Sequence, residues 1–177
     1  GGVDGLIAVN ERAGGHAGSR SAEGLLDELR PFGLPVVAAG GMGTPEEFAR
    51  HLRMGYAGAQ LGTRFIATPE CRASDAYKQA IVAAQATDIV HTERLTGVPV
   101  AVIRSPWIDR LGTSAGPFAR WMLRGRRRKH WMRTFYMLNS ARRLRKSLGS
   151  ESQDDYWQAG MSVAGIHSIV PAAEVVH

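Results

Sequence analysis

The stretch from Pro35 to Phe48, P-V-V-A-A-G-G-M-G-T-P-E-E-F, constrains the fold more than any other part of this chain. It begins with a continuous run of small apolar residues, Val36 to Ala39, which is typical of a parallel strand covered on both faces. Gly40, Gly41 and Gly43 follow and allow a sharp turn of the backbone. The sequence therefore predicts a short buried strand that ends in a tight glycine turn.

A helix start follows the glycines at once. Thr44 fits the N-cap, Pro45 the first helical position, and Glu47 the third residue of a capping box. A strand that leads through glycines into a helix start leaves backbone N–H groups free to bind an anion such as a phosphate. The alternative interpretation is that the glycines serve only tight packing.

The first 90 residues alternate strand, loop and helix three times. A strand is predicted over Val3–Val9 and another over Ala57–Leu61, on either side of the strand described above. Helices are predicted over 22–30, with Ser21 as N-cap, over 45–54, closed by Gly55, and over 74–86. Alternation of this kind favours βαβ units and a parallel sheet. Three strands cannot close a barrel, and Gly1 is not an initiator Met, so we expect the chain to be part of something longer.

The second half of the chain is less regular. A turn is predicted at Thr96–Gly97, a loop over 104–116, a mostly helical segment over 118–148, and a small-residue helix within 156–177. Twelve of the 22 Lys and Arg lie between Arg110 and Ser150, where there is no Asp or Glu. The rest of the chain holds the other ten basic residues and all 16 acidic ones, a net charge of −6, so the overall charge of +6 is due to this one segment.

The run from Arg124 to Lys129, with tryptophans nearby, is open to two interpretations. It could bind nucleic acid or an acidic membrane surface, or it could be a solvated basic helix face, which we favour because no nucleic-acid fold signature accompanies it. No run of about 18 apolar residues predicts a membrane span. The single cysteine, Cys71, suits a reducing compartment, and we expect a cytoplasmic protein.

Several kinds of site are not supported by the sequence. Gly41-Met42-Gly43 lacks the third glycine of a dinucleotide fingerprint, and no phosphate-binding G-x-x-x-x-G-K-[ST] loop occurs. No Cys or His pair has the spacing of metal ligands, so no metal is expected. A Ser-His-Asp triad has no G-x-S-x-G motif to support it.

Two loops carry candidate site residues. His16 lies among glycines after the first strand, where an imidazole could move a proton, although it could also only cap a backbone group. The turn after the third strand, Gln60-Leu61-Gly62-Thr63, offers an amide and a hydroxyl beside a glycine. In barrels the loops after the last two strands often form a phosphate site, whereas the alternative is two ordinary turns.

Three motifs in this order resemble those of the nitronate monooxygenases, formerly called 2-nitropropane dioxygenases. They are A-G-G-H-A-G at 13–18, P-V-V-A-A-G-G at 35–41 and Q-L-G-T-R-F at 60–65. The resemblance continues at Tyr77-Lys78, at 95–99 and at 156–165. It implies an α/β fold, an FMN-binding (β/α)8 TIM barrel, of which this chain holds about strands six to eight. Residues 1–90 would then be barrel, and 91–177 a mostly helical, substrate-covering region with a basic insertion at 117–150.

The resemblance also implies roles for particular residues. His16 matches the catalytic histidine that takes the α-proton of a nitroalkane or stabilises a bound nitronate. The residues that match the cofactor-binding positions of the family are Gly14, Gly40, Gly41, Gln60, Leu61, Gly62 and Thr63. The implied partners are FMN, a small-molecule substrate such as a nitronate or an acyl thioester, and O2. Nucleic acid is not among them, and the oligomeric state is not indicated.

Two positions differ from the family pattern, and the activity is left open between alternatives. Val9 stands where a glutamine is usual, and Arg12 where a glutamate is usual. The first expectation is oxidative denitrification of alkyl nitronates. The alternatives are an NAD(P)H-dependent flavin reductase acting on a quinone or an enoyl or acyl-CoA thioester, and an inactive remnant or basic binding module. We expect the isolated 177-residue chain to bind FMN weakly, which makes its activity doubtful.

Overall fold

The computed structural model describes residues 2–94, 98–113 and 156–176. The turn predicted at Thr96–Gly97, the helical segment predicted over 118–148 and the whole basic insertion at 117–150 lie outside the described residues. The division into a barrel part and a helical part at residue 90 stays a prediction.

Three parallel strands form the main sheet, as predicted. They are β1 (Leu6–Val9), β2 (Val36–Ala39) and β3 (Gly58–Gln60), in the spatial order β1-β2-β3. The strand over 3–9 is shorter than predicted, because only its apolar second half pairs with β2. The sheet places the carboxyl ends of all three strands at one edge.

The helices follow the strands in the predicted alternation. They are α1 (Ala22–Leu29), α2 (Pro45–Met54), the single turn α3 (Thr63–Ile66) and α4 (Asp75–Ala83). The Ser21 hydroxyl caps α1 by accepting a hydrogen bond from the Gly24 N–H at 3.2 Å. Both halves of the Thr44–Glu47 capping box are present at the start of α2, and Gly55 ends that helix with φ of +108°. Local capping chemistry therefore sets these boundaries.

The second half of the chain differs from the prediction at two places. The loop predicted over 104–116 contains a helix, α5 (Pro106–Leu111), whose N-cap Ser105 accepts a hydrogen bond from the Ile108 N–H at 3.3 Å. The Ser105-Pro106 pair provides the helix-start signal at this position. The small-residue helix predicted near the end is a five-residue 3-10 turn, Met161–Gly165, and a short α6 (Ala172–Val176) follows it.

A two-stranded antiparallel sheet connects these parts. It consists of β4 (Ile89–Thr92) and β5 (Val100–Ile103), and β5 is buried along its whole length. Its core neighbours come from α4 and from the segment after residue 156; the buried members are Ala67, Ala73, Tyr77, Ile81, Ala84, Ile89, Ala101, Ile103, Ala159, Val163 and Ile166. Residues 156–166, called the returning segment below, therefore pass across the loops that follow the parallel strands.

The two faces of the parallel sheet have different surroundings. On one face, Ala8, Val36 and Ala38 pack with Leu26 of α1, and the neighbouring Tyr56 hydroxyl donates to the carbonyl of Ala22 at 2.6 Å. On the other face the β1 side chains Ile7 and Val9 are exposed. Among the described residues, no helix combines the length and the apolar character that crossing a membrane requires.

Candidate functional site

A cavity of about 460 Å3 opens at the carboxyl edge of the parallel sheet. The last residue of each strand, Val9, Ala39 and Gln60, lies in its wall. The remaining lining residues come from the loops that follow the strands, from α4 and from the returning segment, and they are Ala13, Gly14, Gly15, His16, Gly40, Gly41, Met42, Leu61, Gly62, Thr63, Ile66, Tyr77, Gln158 and Ser162. The edge where parallel strands end is where α/β proteins bind ligands.

Every site residue predicted from the sequence lies in this one cavity wall. These residues are His16, Gly14, Gly40, Gly41, Gln60, Leu61, Gly62 and Thr63. Three loops that are separated from one another by about 20 residues in sequence thus meet around a common space. Their roles in binding and catalysis stay predictions.

The His16 loop is held in place by β5. The N–H of Gly15 donates to the carbonyl of Ala101 at 3.3 Å, and the N–H of Ala101 donates back to the carbonyl of Gly15 at 2.7 Å. Gly15 has φ of +65°, which suits glycine, and Gly14 lies so close to the returning segment that a Cβ there would be 2.7 Å from the Gly160 nitrogen. The backbone beside His16 is therefore fixed, while the His16 side chain is exposed.

The glycine turn after β2 is shaped by packing within the protein. Gly40 has φ of +114°, and a Cβ there would lie 2.5 Å from Asn10 Oδ1. A Cβ on Gly41, with φ of +76°, would lie 2.8 Å from the Cβ of Arg12. The missing side chains therefore leave room for the loop after β1, as the packing interpretation expected.

The start of α2 already holds an anion of its own. The Glu47 carboxylate accepts hydrogen bonds from the N–H groups of Gly43 at 2.7 Å and Thr44 at 3.3 Å. The Thr44 hydroxyl accepts from the Glu47 N–H at 3.3 Å. These N–H groups are consequently not free for a phosphate, contrary to the expectation for this helix start.

The turn after β3 is open by comparison. A Cβ on Gly62 would meet no atom within 4 Å among the described residues. The Thr63 hydroxyl accepts a hydrogen bond from the Gly160 N–H at 3.2 Å, which leaves its own proton available to a ligand. Within the described residues, the N–H groups of Gly41, Met42, Gly62 and Thr63 have no acceptor. These groups are the ones that could hold a phosphate.

Tyr77, Gln158 and Ser162 line the cavity but were not predicted as site residues. Burial raises the pKa of the Tyr77 hydroxyl, and the nearby Cys71 and Tyr156 raise it further. That hydroxyl donates to the carbonyl of Gln158, and its ring stacks on Trp157 with 6.1 Å between centroids. The motif similarity at 77–78 and 156–165 was a usable signal for these residues, but spacing alone could not place the distant segments together.

No three His, Cys, Asp or Glu side chains in the part of the chain that the structure describes gather into a group able to hold a metal ion. The donors in the cavity wall are mainly backbone N–H groups, hydroxyls and one imidazole. Such a set suits an anionic organic ligand better than a cation.

Comparison with known proteins finds similar curated proteins and similar solved structures. A CoA-thioester enzyme of Mycobacterium tuberculosis, (3aS,4S,5R,7aS)-5-hydroxy-7a-methyl-1-oxo-octahydro-1H-indene-4-carboxyl-CoA dehydrogenase, is 34% identical over 124 residues. The match covers 67% of this chain and 35% of that protein. The structure of nitroalkane oxidase from Streptomyces ansochromogenes matches with a TM-score of 0.75 and 26% identity, over 99% of this chain and 50% of that one.

A third relative is FabK from Thermotoga maritima, with a TM-score of 0.78 and 28% identity over 99% of this chain and 52% of that one. The chain therefore spans about half the length of these solved structures. The likeness confirms the predicted fold class, an α/β fold of the TIM-barrel type of which the chain forms a part.

The family model for nitronate monooxygenase matches residues 1–177, which is the whole chain. That match agrees with the three sequence motifs and with the single cavity in which they meet. The chain belongs to the nitronate monooxygenase family of oxidoreductases.

Proposed function

We propose that this cavity binds FMN and that the chain takes part in the oxidation of alkyl nitronates with O2. The observation that carries the proposal is the meeting of His16 with the unpaired N–H groups of two glycine turns around one cavity. The family is flavin-dependent in general. Because the chain spans about half of its solved relatives, the proposal concerns the full-length protein. We also propose a cytoplasmic location, because the single Cys71 suits a reducing compartment.

The residues present fit a flavin phosphate. The N–H groups of Gly41, Met42, Gly62 and Thr63, together with the Thr63 hydroxyl, would hold the phosphate oxygens. The open space at Gly62 allows a ligand to approach the backbone closely. FMN, when bound, supplies the electron transfer and the reaction with O2 that amino-acid side chains cannot provide.

His16 is the residue proposed to move the proton. Its exposed side chain lies in the cavity wall on a loop whose backbone β5 fixes, so a bound nitroalkane could present its α-carbon to the imidazole. Tyr77 is a poorer proton carrier, because its own proton is held by the Gln158 carbonyl and its pKa is raised. Its hydroxyl oxygen could still accept a hydrogen bond.

The change His16→Asn tests this role. Loss of a general base should lower kcat/KM for a neutral nitroalkane by about 100-fold or more, whereas the pre-formed nitronate needs no proton removed and should lose much less. Oxygen uptake measures kcat/KM for both substrates. His167→Asn, an exposed histidine outside the cavity, is the matched control and should change neither. Equal losses of His16→Asn on both substrates would rule out the general-base role.

A second candidate is an oxidoreductase of an acyl-CoA thioester. It is favoured by the relative of Mycobacterium tuberculosis, whose name specifies a carboxyl-CoA substrate. The arginine run at 124–129 lies outside the described residues, but its charge would suit the phosphates of CoA. Changing Arg126, Arg127 and Arg128 to Gln should weaken acyl-CoA binding about tenfold at low salt and less at high salt. An affinity that stays unchanged at every salt concentration contradicts this candidate.

Flavin content separates the enzyme candidates from the others. A yellow full-length protein with the spectrum of bound FMN supports an enzyme, and a colourless one supports an inactive remnant or a basic binding module. Oxygen uptake with a nitronate, measured against NADH oxidation with a quinone or an enoyl thioester, then separates the monooxygenase from an NAD(P)H-dependent reductase.

A further inference from the structure

Asn10, the first residue after β1, is buried, with 1% of its surface exposed. Its N–H donates to the carbonyl of Ala39 at 3.0 Å, which extends the pairing of β1 with β2. Its carbonyl accepts hydrogen bonds from the N–H groups of Ala13 at 3.2 Å and Gly18 at 3.1 Å. The backbone of Asn10 therefore holds both ends of the loop that carries His16.

The side chain of Asn10 links that loop to the glycine turn after β2. Its Nδ2 donates to the carbonyl of Gly40 at 2.9 Å, and its Oδ1 accepts from the N–H of Arg12 at 2.9 Å. Gly40 approaches so closely that a Cβ there would lie 2.5 Å from Asn10 Oδ1. One amide thus uses a donor and an acceptor to connect two parts of the cavity wall.

We propose that Asn10 is a positioning residue that fixes the glycine turn at Gly40–Gly41 relative to the His16 loop. The inference rests on the proposed function, because its consequence is the alignment of the flavin phosphate with the histidine. Only a side chain with a donor and an acceptor at this spacing makes both hydrogen bonds. An ionised carboxylate keeps the bond from Arg12 but places a lone pair against the Gly40 carbonyl in a buried position.

In the variant Asn10→Asp, the FMN affinity should depend on pH, because only the protonated carboxyl group has a donor. At pH 8 the buried carboxylate repels the Gly40 carbonyl and should displace the glycine turn. At pH 5 a protonated carboxyl group donates to that carbonyl and restores the link, because burial favours the protonated form. Asn10→Ala lacks both the donor and the acceptor, so its FMN Kd relative to wild type should be raised equally at every pH.

Charged and titratable groups surround Asn10, and their own effect on the pH dependence of the FMN Kd must be separated from that of residue 10. They come from its own loop, from α1 and from α2, and they are Glu11, Arg12, Glu23, Glu47, Arg50 and His51. They are common to the wild type and to each variant, as is the titration of the FMN phosphate. The ratio of the variant Kd to the wild-type Kd therefore isolates the Asn10 position.

The experiment is an FMN titration of the full-length apoprotein, followed by flavin fluorescence between pH 5 and pH 8. The Kd of Asn10→Asp should exceed that of wild type by about tenfold or more at pH 8 and approach it at pH 5. The Kd ratio for Asn10→Ala should stay high and flat. Asn10→Ser, which keeps a hydroxyl but is too short to reach both loops, replaces Asn10→Asp if the latter does not fold at pH 8, and should show a raised, flat ratio.

Three outcomes overturn the proposal. A Kd ratio of Asn10→Asp that does not change with pH removes the donor role assigned to the amide. Wild-type affinity in Asn10→Ala or Asn10→Ser removes the positioning role altogether. Failure of the wild-type protein to bind FMN overturns the proposed function as well, whereas the first two results contradict the inference alone.

Discussion

The two glycine turns at the carboxyl edge of the sheet look alike in sequence but differ in what surrounds them. Around Gly40, Gly41 and Gly43 the missing side chains are replaced by other parts of the protein. The neighbouring helix start is capped by Glu47. Around Gly62 the space is open. The N–H groups of Gly41 and Met42 in the first turn, like those of Gly62 and Thr63 in the second, lack acceptors within the described residues, so the turns differ in the space beside them.

The difference teaches that a glycine turn is not by itself a ligand site. The first turn uses glycine so that two loops and the returning segment can pack backbone against backbone. The second uses glycine where a ligand can approach. Substitutions at the two turns should therefore separate folding from binding.

Gly43→Ala should have the largest effect on stability. Its Cβ would lie 2.2 Å from the carbonyl oxygen of Ser162, so the backbone of the returning segment must move. We expect a loss of about 2–4 kcal/mol in the free energy of unfolding. Urea unfolding measures it. Gly58→Ala in β3, where a Cβ meets nothing within 4 Å, is the control and should change stability by less than about 1 kcal/mol; similar losses in both would show that packing does not distinguish these glycines.

Tyr77→Phe tests how firmly α4 holds the returning segment through Gln158. Loss of the hydroxyl removes a hydrogen bond to the carbonyl of the half-buried Gln158, at a cost of about 0.5–1.5 kcal/mol. The difference in the free energy of unfolding between the wild type and Tyr77→Phe should also change with pH. Because the pKa of Tyr77 is raised above its ordinary 10.0, its contribution is present below pH 10 and is lost at higher pH, where the unfolded chain ionises first.

Unfolding experiments between pH 8 and pH 11 measure this pH dependence. The wild type should lose stability more steeply than Tyr77→Phe above pH 10, so that the two converge. Parallel curves would show that the Tyr77 hydroxyl titrates alike in the folded and unfolded states.

The sequence predicted the local features well and the long-range ones poorly. The strand at Val36–Ala39 and the capping box at Thr44–Glu47 depend on neighbouring residues, and the structure has both. The predicted capping box already implied that the Glu47 carboxylate accepts the Thr44 N–H. Its second hydrogen bond, from the Gly43 N–H, depends on the side-chain rotamer and could not be predicted. The placement of Gln158 beside the His16 loop depends on β5, about 60 residues before it in the chain.

Asn10 illustrates the same limit within the site. A single asparagine after a strand has no distinctive pattern, so only the three-dimensional structure shows that its amide joins two loops. By contrast, the motif resemblance indicated four of the five cavity-lining glycines, Gly14, Gly40, Gly41 and Gly62 but not Gly15, because it compares whole patterns instead of spacing. Why Val9 replaces the usual glutamine is not explained by the structure.

The most direct test of the FMN site is a titration of the full-length apoprotein and its Gly62→Ala variant with FMN. Gly62 has φ of −112°, so alanine is tolerated, and stability should change by less than about 1 kcal/mol. The added methyl group occupies open space beside the unpaired N–H groups, so the FMN Kd should rise at least about tenfold. Wild-type FMN affinity in Gly62→Ala, or no FMN binding by the wild type, would contradict the account.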